Sequence, residues 1–259
     1  MRNMLQETAM LLDYAEQNRM PLPPLSREDP TFTPAQAYAI QSAWLDLKLA
    51  KGARVIGRKI GLTSRAMQEL LGVDQPDYGF ILDSMAVASG STLSRTDFLF
   101  PRIEPEIAFW LARDLKGPGI TTDAVLAATY GVSPALELVD SRIANWQIKL
   151  PDTIADNASS ARVIVSEQIV PLDDLDLAAE AVTLTRNGVE VGSGNGAAVL
   201  GHPAEAVAWL ANKLAEYNIA LVAGQLILPG AMCAAATVAA GETYHAIFSA
   251  IGEVSVRFV

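Results

Sequence analysis

The feature that most constrains the fold is a series of short apolar runs, separated by turn residues, that fills the C-terminal two thirds of the chain. Runs of this length and spacing are typical of β-strands. They predict strands at 99–111, 134–139, 161–166, 181–186, 189–193, 225–229, 243–249 and 253–258. A short helix near 122–130 and a longer one near 203–217 interrupt the series. The pattern predicts a β-rich α+β domain.

The N-terminal part has a different, helical pattern. Residues 4–18 carry leucines among polar residues, which suits an amphipathic helix. A proline-rich connector follows, and then Thr33 and Pro34 offer an N-cap and a first-turn proline for a second helix that Gly52 ends. We therefore expect a small helical lobe at 1–52.

The rest of the chain, 53–259, is predicted to be a β-rich catalytic domain. Its first strand is expected at 54–60. Ser64 is placed to cap a short helix that Gly72 closes. No internal repeat or low-complexity tract divides this part further.

Charge and composition limit the partners. The net charge is −10, and an acidic surface argues against nucleic acid and anionic membrane as partners. The uncharged stretch between Glu216 and Glu242 contains Pro229 and Gly230, so it predicts buried strands and turns instead of a spanning helix. The single cysteine, Cys233, and the lack of a signal-peptide pattern predict a cytoplasmic location.

Two glutamates lie close together on one predicted strand. Glu104 and Glu106 are two residues apart, so their side chains share a face. Neighbouring carboxylates repel unless a cation lies between them, although a solvated strand face would carry them equally well. Pro105 cannot donate to a sheet ladder, which predicts an edge or a bulge.

A third glutamate interrupts an apolar strand. Glu137 lies in the run 134–139, where a buried carboxylate is costly unless it is paired or bound to a metal. The alternative is an ion pair with an arginine such as Arg142. Three carboxylates without clustered histidine or cysteine would select Mg²⁺ or Mn²⁺. His202 and His245 are isolated and are interpreted as capping or packing residues.

Three further positions are chemically ambiguous on their own. Lys59 lies in an apolar strand between two glycines, where it could face an anionic substrate or extend to solvent from a sheet edge. Residues 74–79 have the composition of a turn, and Asp77 within them could be a general base or a turn former. Residues 156–160 supply hydrogen-bonding groups without indicating their role.

Together these motifs resemble the 2-hydroxypenta-2,4-dienoate hydratases of the fumarylacetoacetate hydrolase superfamily. The resemblance extends from about residue 33 to the C-terminus. It includes GRKIGLTS at 57–64, GVDQPDYG at 72–79, PRIEPEIAF at 101–109, PALELVDSRI at 134–143, DTIADNASS at 152–160, GHP at 201–203 and WLANKLA at 209–215. Several long motifs in the right order are far more specific than any one of them.

The resemblance implies an enzyme that adds water to a small anionic 2-hydroxy-dienoate during meta-cleavage of aromatic compounds. It implies a mixed-sheet fold with a helical N-terminal part, a homo-oligomer, and a possible complex with a related decarboxylase. By the same resemblance, a divalent metal is held by three carboxylates and three other residues surround the substrate. The metal ligands are Glu104, Glu106 and Glu137, and the substrate residues are Lys59, Asp77 and Ser160.

Related activities remain as alternatives. The 4-oxalocrotonate decarboxylases look similar through most of the chain, but they usually have KMGLTS where this chain has KIGLTS at 59–64, and an apolar residue in place of Asp77. A hydratase acting on 2-oxohept-3-enedioate shares the aspartate. The sequence at 229–233 departs from both hydratase patterns, so the substrate tail stays open. A non-catalytic partner subunit of a decarboxylase is a further alternative.

Overall fold

The computed structural model describes residues 2–65, 68–69 and 72–259. The helices are α1 Arg2–Asn18, α2 Leu25–Glu28, α3 Pro34–Ala50, α4 Thr122–Ala128, α5 Leu150–Ala155 and α6 Pro203–Ala215. The strands are β1 Val55–Gly61, β2 Asp77–Leu82, β3 Ala86–Ala88, β4 Thr92–Leu93, β5 Arg102–Leu111, β6 Thr129–Val139, β7 Ser160–Val165, β8 Ala181–Arg186, β9 Val189–Asn195, β10 Leu226–Leu228, β11 Ala236–Thr237, β12 Thr243–Phe248 and β13 Glu253–Phe258.

Within the described residues, the strands form two sheets. The larger has the order β2-β1-β10-β5-β6-β7-β3, with β11 also pairing with β5, and the smaller has the order β4-β13-β12-β8-β9. Strands β1 and β10 are parallel, whereas the long β5–β6 pair is antiparallel. The predicted β-rich α+β fold with helices at the N-terminus is confirmed.

The two faces of β5 have different surroundings. Ile103, Ile107 and Phe109 on one face are fully buried in the main hydrophobic core. Glu104 and Glu106 point to the other face, together with Ala108 in a second, smaller apolar cluster. Alternation along one strand thus places the carboxylates opposite the main core.

The helical lobe packs on the larger sheet through α3. Thr33 caps this helix as predicted, because its side chain accepts from Gln36 N while Thr33 N donates to the Gln36 side chain. Farther along, Gln41 Nε2 donates to Tyr78 O on β2 and to Ile154 O on α5. The division between 1–52 and 53–259 stays a prediction.

Several details differ from the sequence-based expectations. The residues around 74–79 were expected to form a turn, but β2 begins at Asp77 and all of its residues are buried. Helix α5 and the short α2 were not predicted. The helix expected between Ser64 and Gly72 lies largely outside the described residues. Tyr78 and Phe80 favour a strand, and packing against α3 outweighs the turn-like composition before them.

The edge or bulge expected at Pro105 is wrong, since β5 lies inside the sheet. Strands β10 and β11 contact β5 separately, at 109–110 and at 102–103. The loop between them passes Pro105, and Met232 N donates to Pro105 O over 3.0 Å. In a strand, the nitrogen and oxygen of one residue point to the same side. The nitrogen of Pro105 therefore faces this gap, where the ladder needs no donor.

Candidate metal and substrate site

Three glutamates from β5 and β6 meet on one face of the larger sheet. Glu104 lies directly opposite Glu137 in the antiparallel register, and Glu106 is the next residue on that face of β5. One carboxylate oxygen from each lies within 4.8 Å of the other two. Glu106 and Glu137 are fully buried, and Glu104 is partly exposed. The expected shared face of Glu104 and Glu106 is confirmed.

The electrostatics of this cluster favour a bound cation. Burial, followed by the charge of Glu137, raises the pKa of Glu104 to about 7. The same two causes raise the pKa of Glu106 well above its ordinary value. Glu106 Oε1 and Glu137 Oε1 accept no hydrogen bond from any described residue. Buried carboxylate oxygens without a donor fit a hard, oxygen-liganded divalent cation.

The backbone holds one of these carboxylates in place. Gly230 N donates to Glu106 Oε2 over 2.7 Å. Gly230 has a φ of +123°, and a β-carbon there would lie 2.0 Å from Thr63 Oγ1. Only glycine can therefore bring this N–H to Glu106 without displacing Thr63.

Lys59 projects into the same chamber from β1. Its Nζ lies 3.1 Å from Glu137 Oε2 and donates to Ala158 O over 3.1 Å. Burial lowers the pKa of Lys59, but the charges of Glu137 and Asp77 outweigh burial and raise it overall, so the side chain carries its charge. Only 3% of the residue is exposed, so the alternative of a lysine extending to solvent is wrong. The alternative pairing of Glu137 with Arg142 is also wrong.

Asp77 is the first residue of β2 and is 1% exposed. Its Oδ2 accepts from Thr153 Oγ1 over 3.2 Å, whereas Oδ1 has no partner among the described residues. Burial raises the pKa of Asp77, and the nearby Lys59 ammonium partly offsets this rise. A β-carbon on Gly61 would lie 2.2 Å from Asp77 Oδ1 and 3.3 Å from Lys59 Nζ. Glycine at 61 thus leaves room for the carboxylate and the ammonium.

The segment before β7 has an unusual backbone. Asn157, Ala158 and Ser159 all have φ values near +50°, namely 56°, 47° and 57°. Non-glycine residues in this region cost roughly 1 kcal/mol or more each, and they concentrate at functional sites. The turn they form directs Ala158 O to Lys59. Ser160 follows it, with a buried hydroxyl that has no partner among the described residues.

A buried ion pair supports this strained segment. Arg142 Nε donates to Asp156 Oδ1 over 2.6 Å, and the two side chains are 1% and 0% exposed. Arg142 Nη1 also donates to Ser160 O over 3.0 Å. On the other side, Asn157 Oδ1 accepts from Phe80 N over 2.8 Å, and Asn157 Nδ2 donates to Phe80 O over 3.0 Å. The segment is thus fixed at both ends.

The structure therefore brings the three glutamates, Lys59 and the 156–160 segment together, and places Asp77 beside Lys59. The histidines are elsewhere: His202 caps α6 through Ala204 N, and His245 lies 3.1 Å from Glu253. Sequence reasoning missed Thr153. Pro151 and Asp152, a first-turn proline and an acidic residue, could have indicated its helix.

Comparison with known proteins finds one matching family and several hydratases that are similar to this chain. The family described as "Fumarylacetoacetate (FAA) hydrolase C-terminal" matches residues 55–259. A 2-hydroxyhexa-2,4-dienoate hydratase from Comamonas testosteroni is 46% identical over 92% of this chain and 90% of its own length. A 2-oxo-hept-4-ene-1,7-dioate hydratase from Escherichia coli is 44% identical over 97% and 96%. A 2-keto-4-pentenoate hydratase from Paraburkholderia phymatum is 41% identical over 99% and 98%.

Among solved structures, a 4-oxalocrotonate decarboxylase from Pseudomonas putida G7, complexed with magnesium and adipate, superimposes with a TM-score of 0.97. It is 37% identical, and the match covers 100% of this chain and 98% of that one. None of the helices described within 2–65, 68–69 and 72–259 is long and apolar enough to span a bilayer. The acidic cluster and the magnesium-bound relative together support a divalent-metal site. The family match, the sequence identity to relatives over nearly their whole length and the superposition on a solved relative all agree. This chain belongs to the fumarylacetoacetate hydrolase family.

Proposed function

We propose that the protein hydrates 2-hydroxypenta-2,4-dienoate, or a homologue with a longer tail, to the corresponding 4-hydroxy-2-oxo acid during meta-cleavage of aromatic compounds. The observation that carries this proposal is the buried carboxylate of Asp77, with one free oxygen beside the charged Lys59 and close to a cluster of glutamates. The hydratases among its relatives support the same reaction class.

Glu104, Glu106 and Glu137 would hold Mg²⁺ or Mn²⁺, because their oxygens are hard ligands, and Glu106 Oε1 and Glu137 Oε1 are buried with no donor among the described residues. When bound, such a cation supplies Lewis-acid polarisation of the carboxylate and 2-oxygen end of the substrate. It would also offset the surplus of negative charge, since the described residues bring four carboxylates and one ammonium to the chamber.

The remaining side chains have distinct roles in the proposed reaction. Asp77 Oδ1 accepts the proton of the dienol 2-hydroxyl and returns it at C5, which converts the dienol to the conjugated 2-oxo-3-ene. It then accepts a proton from the water that adds at C4 and returns that proton to C3. Its burial raises its pKa, which makes it a better base once it is ionised. The Lys59 ammonium stabilises negative charge that develops on the substrate. The buried hydroxyl of Ser160 orients the water or a substrate oxygen.

The closest competing function is decarboxylation of 4-oxalocrotonate, which the solved relative favours. Decarboxylation needs an electron sink, which the 2-oxo group would provide with a cation held by the glutamates, and it needs no base. A buried aspartate with a free oxygen is therefore useful to hydration and dispensable for decarboxylation. The intact carboxylate cluster argues against a non-catalytic partner subunit. Hydration of 2-oxohept-3-enedioate differs only in the substrate tail.

In the decisive experiment, the purified protein is loaded with magnesium and incubated separately with 2-hydroxypenta-2,4-dienoate and with 4-oxalocrotonate. The products are identified by mass. Gain of water by the first substrate supports the proposal. Loss of carbon dioxide from the second, without hydration of the first, would refute it.

The role of Asp77 is tested by Asp77→Asn, which preserves size and most hydrogen bonding. We expect hydration to slow by roughly a hundredfold or more while the metal still binds. Asp74→Asn is the matched control, because Asp74 is an exposed aspartate just before β2. A rate for Asp77→Asn close to that of the control would remove the base assignment.

The proposal includes a closed homo-oligomer in the cytoplasm, with a related decarboxylase as a possible partner. Large apolar side chains on the outer surface of α1 support an assembly, since Met4, Met10, Leu11 and Tyr14 are each about half exposed. Light scattering at micromolar concentration measures the assembly directly. A monomer alone would count against it.

A further inference from the structure

We propose that Thr153 is a positioning residue that fixes the orientation of the Asp77 carboxylate, so that Oδ2 is occupied and Oδ1 faces the substrate. This inference rests on the proposed role of Asp77 in hydration. The Thr153 hydroxyl has Asp77 Oδ2 as its acceptor at 3.2 Å, and both residues are buried. Asp77 Oδ1 is left without a donor from the described residues, in the space that Gly61 provides.

Thr153 can hold Asp77 because its own helix is anchored on both sides. The preceding residue, Asp152, accepts from Ser26 N over 2.9 Å and from Ser26 Oγ over 2.6 Å. The carbonyl of the following residue, Ile154, accepts from Gln41 Nε2 over 2.8 Å. These bonds tie α5 to α2 and α3, so the hydroxyl of Thr153 does not depend on Asp77 for its position.

Asp77 is anchored through the same side chain. Gln41 Nε2 also donates to Tyr78 O over 2.9 Å, one residue from Asp77. A single amide group from the helical lobe therefore contacts the neighbours of both Thr153 and Asp77. The separation between donor and acceptor is fixed by backbone contacts outside the pair.

The need for such a donor follows from Lys59. The terminal torsion of an aspartate is broad, so an unrestrained carboxylate rotates easily. A β-carbon placed on Gly61 would lie 2.2 Å from Asp77 Oδ1 and 3.3 Å from Lys59 Nζ, so the carboxylate and the ammonium are neighbours. Without Thr153, the carboxylate would rotate towards this ammonium and form a direct ion pair. A paired Oδ1 would be a poorer proton acceptor for the substrate.

The test compares Thr153→Val, which keeps the shape and removes the hydroxyl, with Thr153→Ser, which keeps the hydroxyl. We expect kcat for hydration to fall about tenfold in Thr153→Val, the equivalent of one lost hydrogen bond to a charged group, with KM and magnesium affinity unchanged. Thr153→Ser should stay within about twofold of the wild type. Equal losses in both variants would indicate a packing role and overturn the proposal.

A double-mutant cycle separates positioning of Asp77 from a general structural effect. If Thr153 acts through Asp77, adding Thr153→Val to Asp77→Asn should cause no further loss of kcat. A further tenfold loss in that background would overturn the proposal, and so would wild-type kcat in the single Thr153→Val variant.

An infrared measurement tests the same contact without using activity. The carboxylate band of Asp77 is identified by its loss in Asp77→Asn. We expect Thr153→Val to shift this band and Thr153→Ser to leave it in place, whichever substrate the enzyme uses. An unshifted band in Thr153→Val refutes the positioning role, whereas absence of hydration by the wild type refutes only the proposed function.

Discussion

The buried pair of Arg142 and Asp156 allows a quantitative test of what stabilises the site. Asp156→Asn removes a carboxylate that accepts from Arg142 Nε, Arg142 N, Ser141 Oγ and Ser159 Oγ. It leaves a guanidinium that is 1% exposed without an anionic partner. Breaking one side of such a pair costs about 3–5 kcal/mol. For a chain of this length, this predicts a fall in Tm of roughly 6–20 °C.

Differential scanning calorimetry measures this change, and an exposed pair provides the control. Arg65 and Glu69 are 91% and 70% exposed, so Glu69→Gln should cost at most about 0.5 kcal/mol. Adding Arg142→Met to Asp156→Asn removes the unpaired charge and should restore part of the loss. The free energies of unfolding of Asp156→Asn and of the Glu69→Gln control could instead differ by less than about 1 kcal/mol. In that case the buried pair would not stabilise the 156–160 segment as inferred above.

Further predictions concern the metal cluster and its glycine. The metal-free protein should lose stability as the pH rises from 5 to 8, because the raised pKa of Glu104, about 7, favours folding only while the carboxyl is protonated. Calorimetry measures this trend, and saturating magnesium should abolish it. Glu106→Gln should keep the circular dichroism spectrum but weaken magnesium binding at least about tenfold by titration calorimetry, since it removes a charged ligand; unchanged affinity would exclude Glu106 as a ligand. Gly230→Ala should weaken magnesium binding and lower the free energy of unfolding by about 2 kcal/mol or more, because its β-carbon collides with Thr63. Gly52→Ala, which has open space around it, should leave magnesium binding unaltered. Equal losses of binding in both variants would contradict this prediction.

Much of the fold could be predicted from local patterns. The strands at 181–186 and 253–258 were predicted with their observed bounds, because alternation and flanking turn residues act over a few positions. The shared face of Glu104 and Glu106 follows from strand geometry alone. Strand β2 was missed because its start has a turn-like composition and its packing partners lie on α3, far away in the sequence.

The site was less accessible to such reasoning. Nothing local indicates that Glu104 pairs in register with Glu137, since that depends on how β5 and β6 align. The contact between Thr153 and Asp77 joins residues 76 positions apart, on a helix and a strand that were both missed. The predicted ligand set rests on the resemblance to a family, because the sequence alone does not show which distant side chains become buried beside one another in the folded chain.

Asn157 has a consequence for the solubility of the protein as well as for its site. An edge strand with free N–H and C=O groups invites pairing with another chain, which leads to aggregation. At Phe80 of the edge strand β2, the amide of Asn157 meets both groups, as a neighbouring strand would. One side chain therefore blocks β-addition at this point and begins the left-handed turn towards Lys59. Asn157 thus protects an exposed strand edge and orders the pocket that contains Lys59.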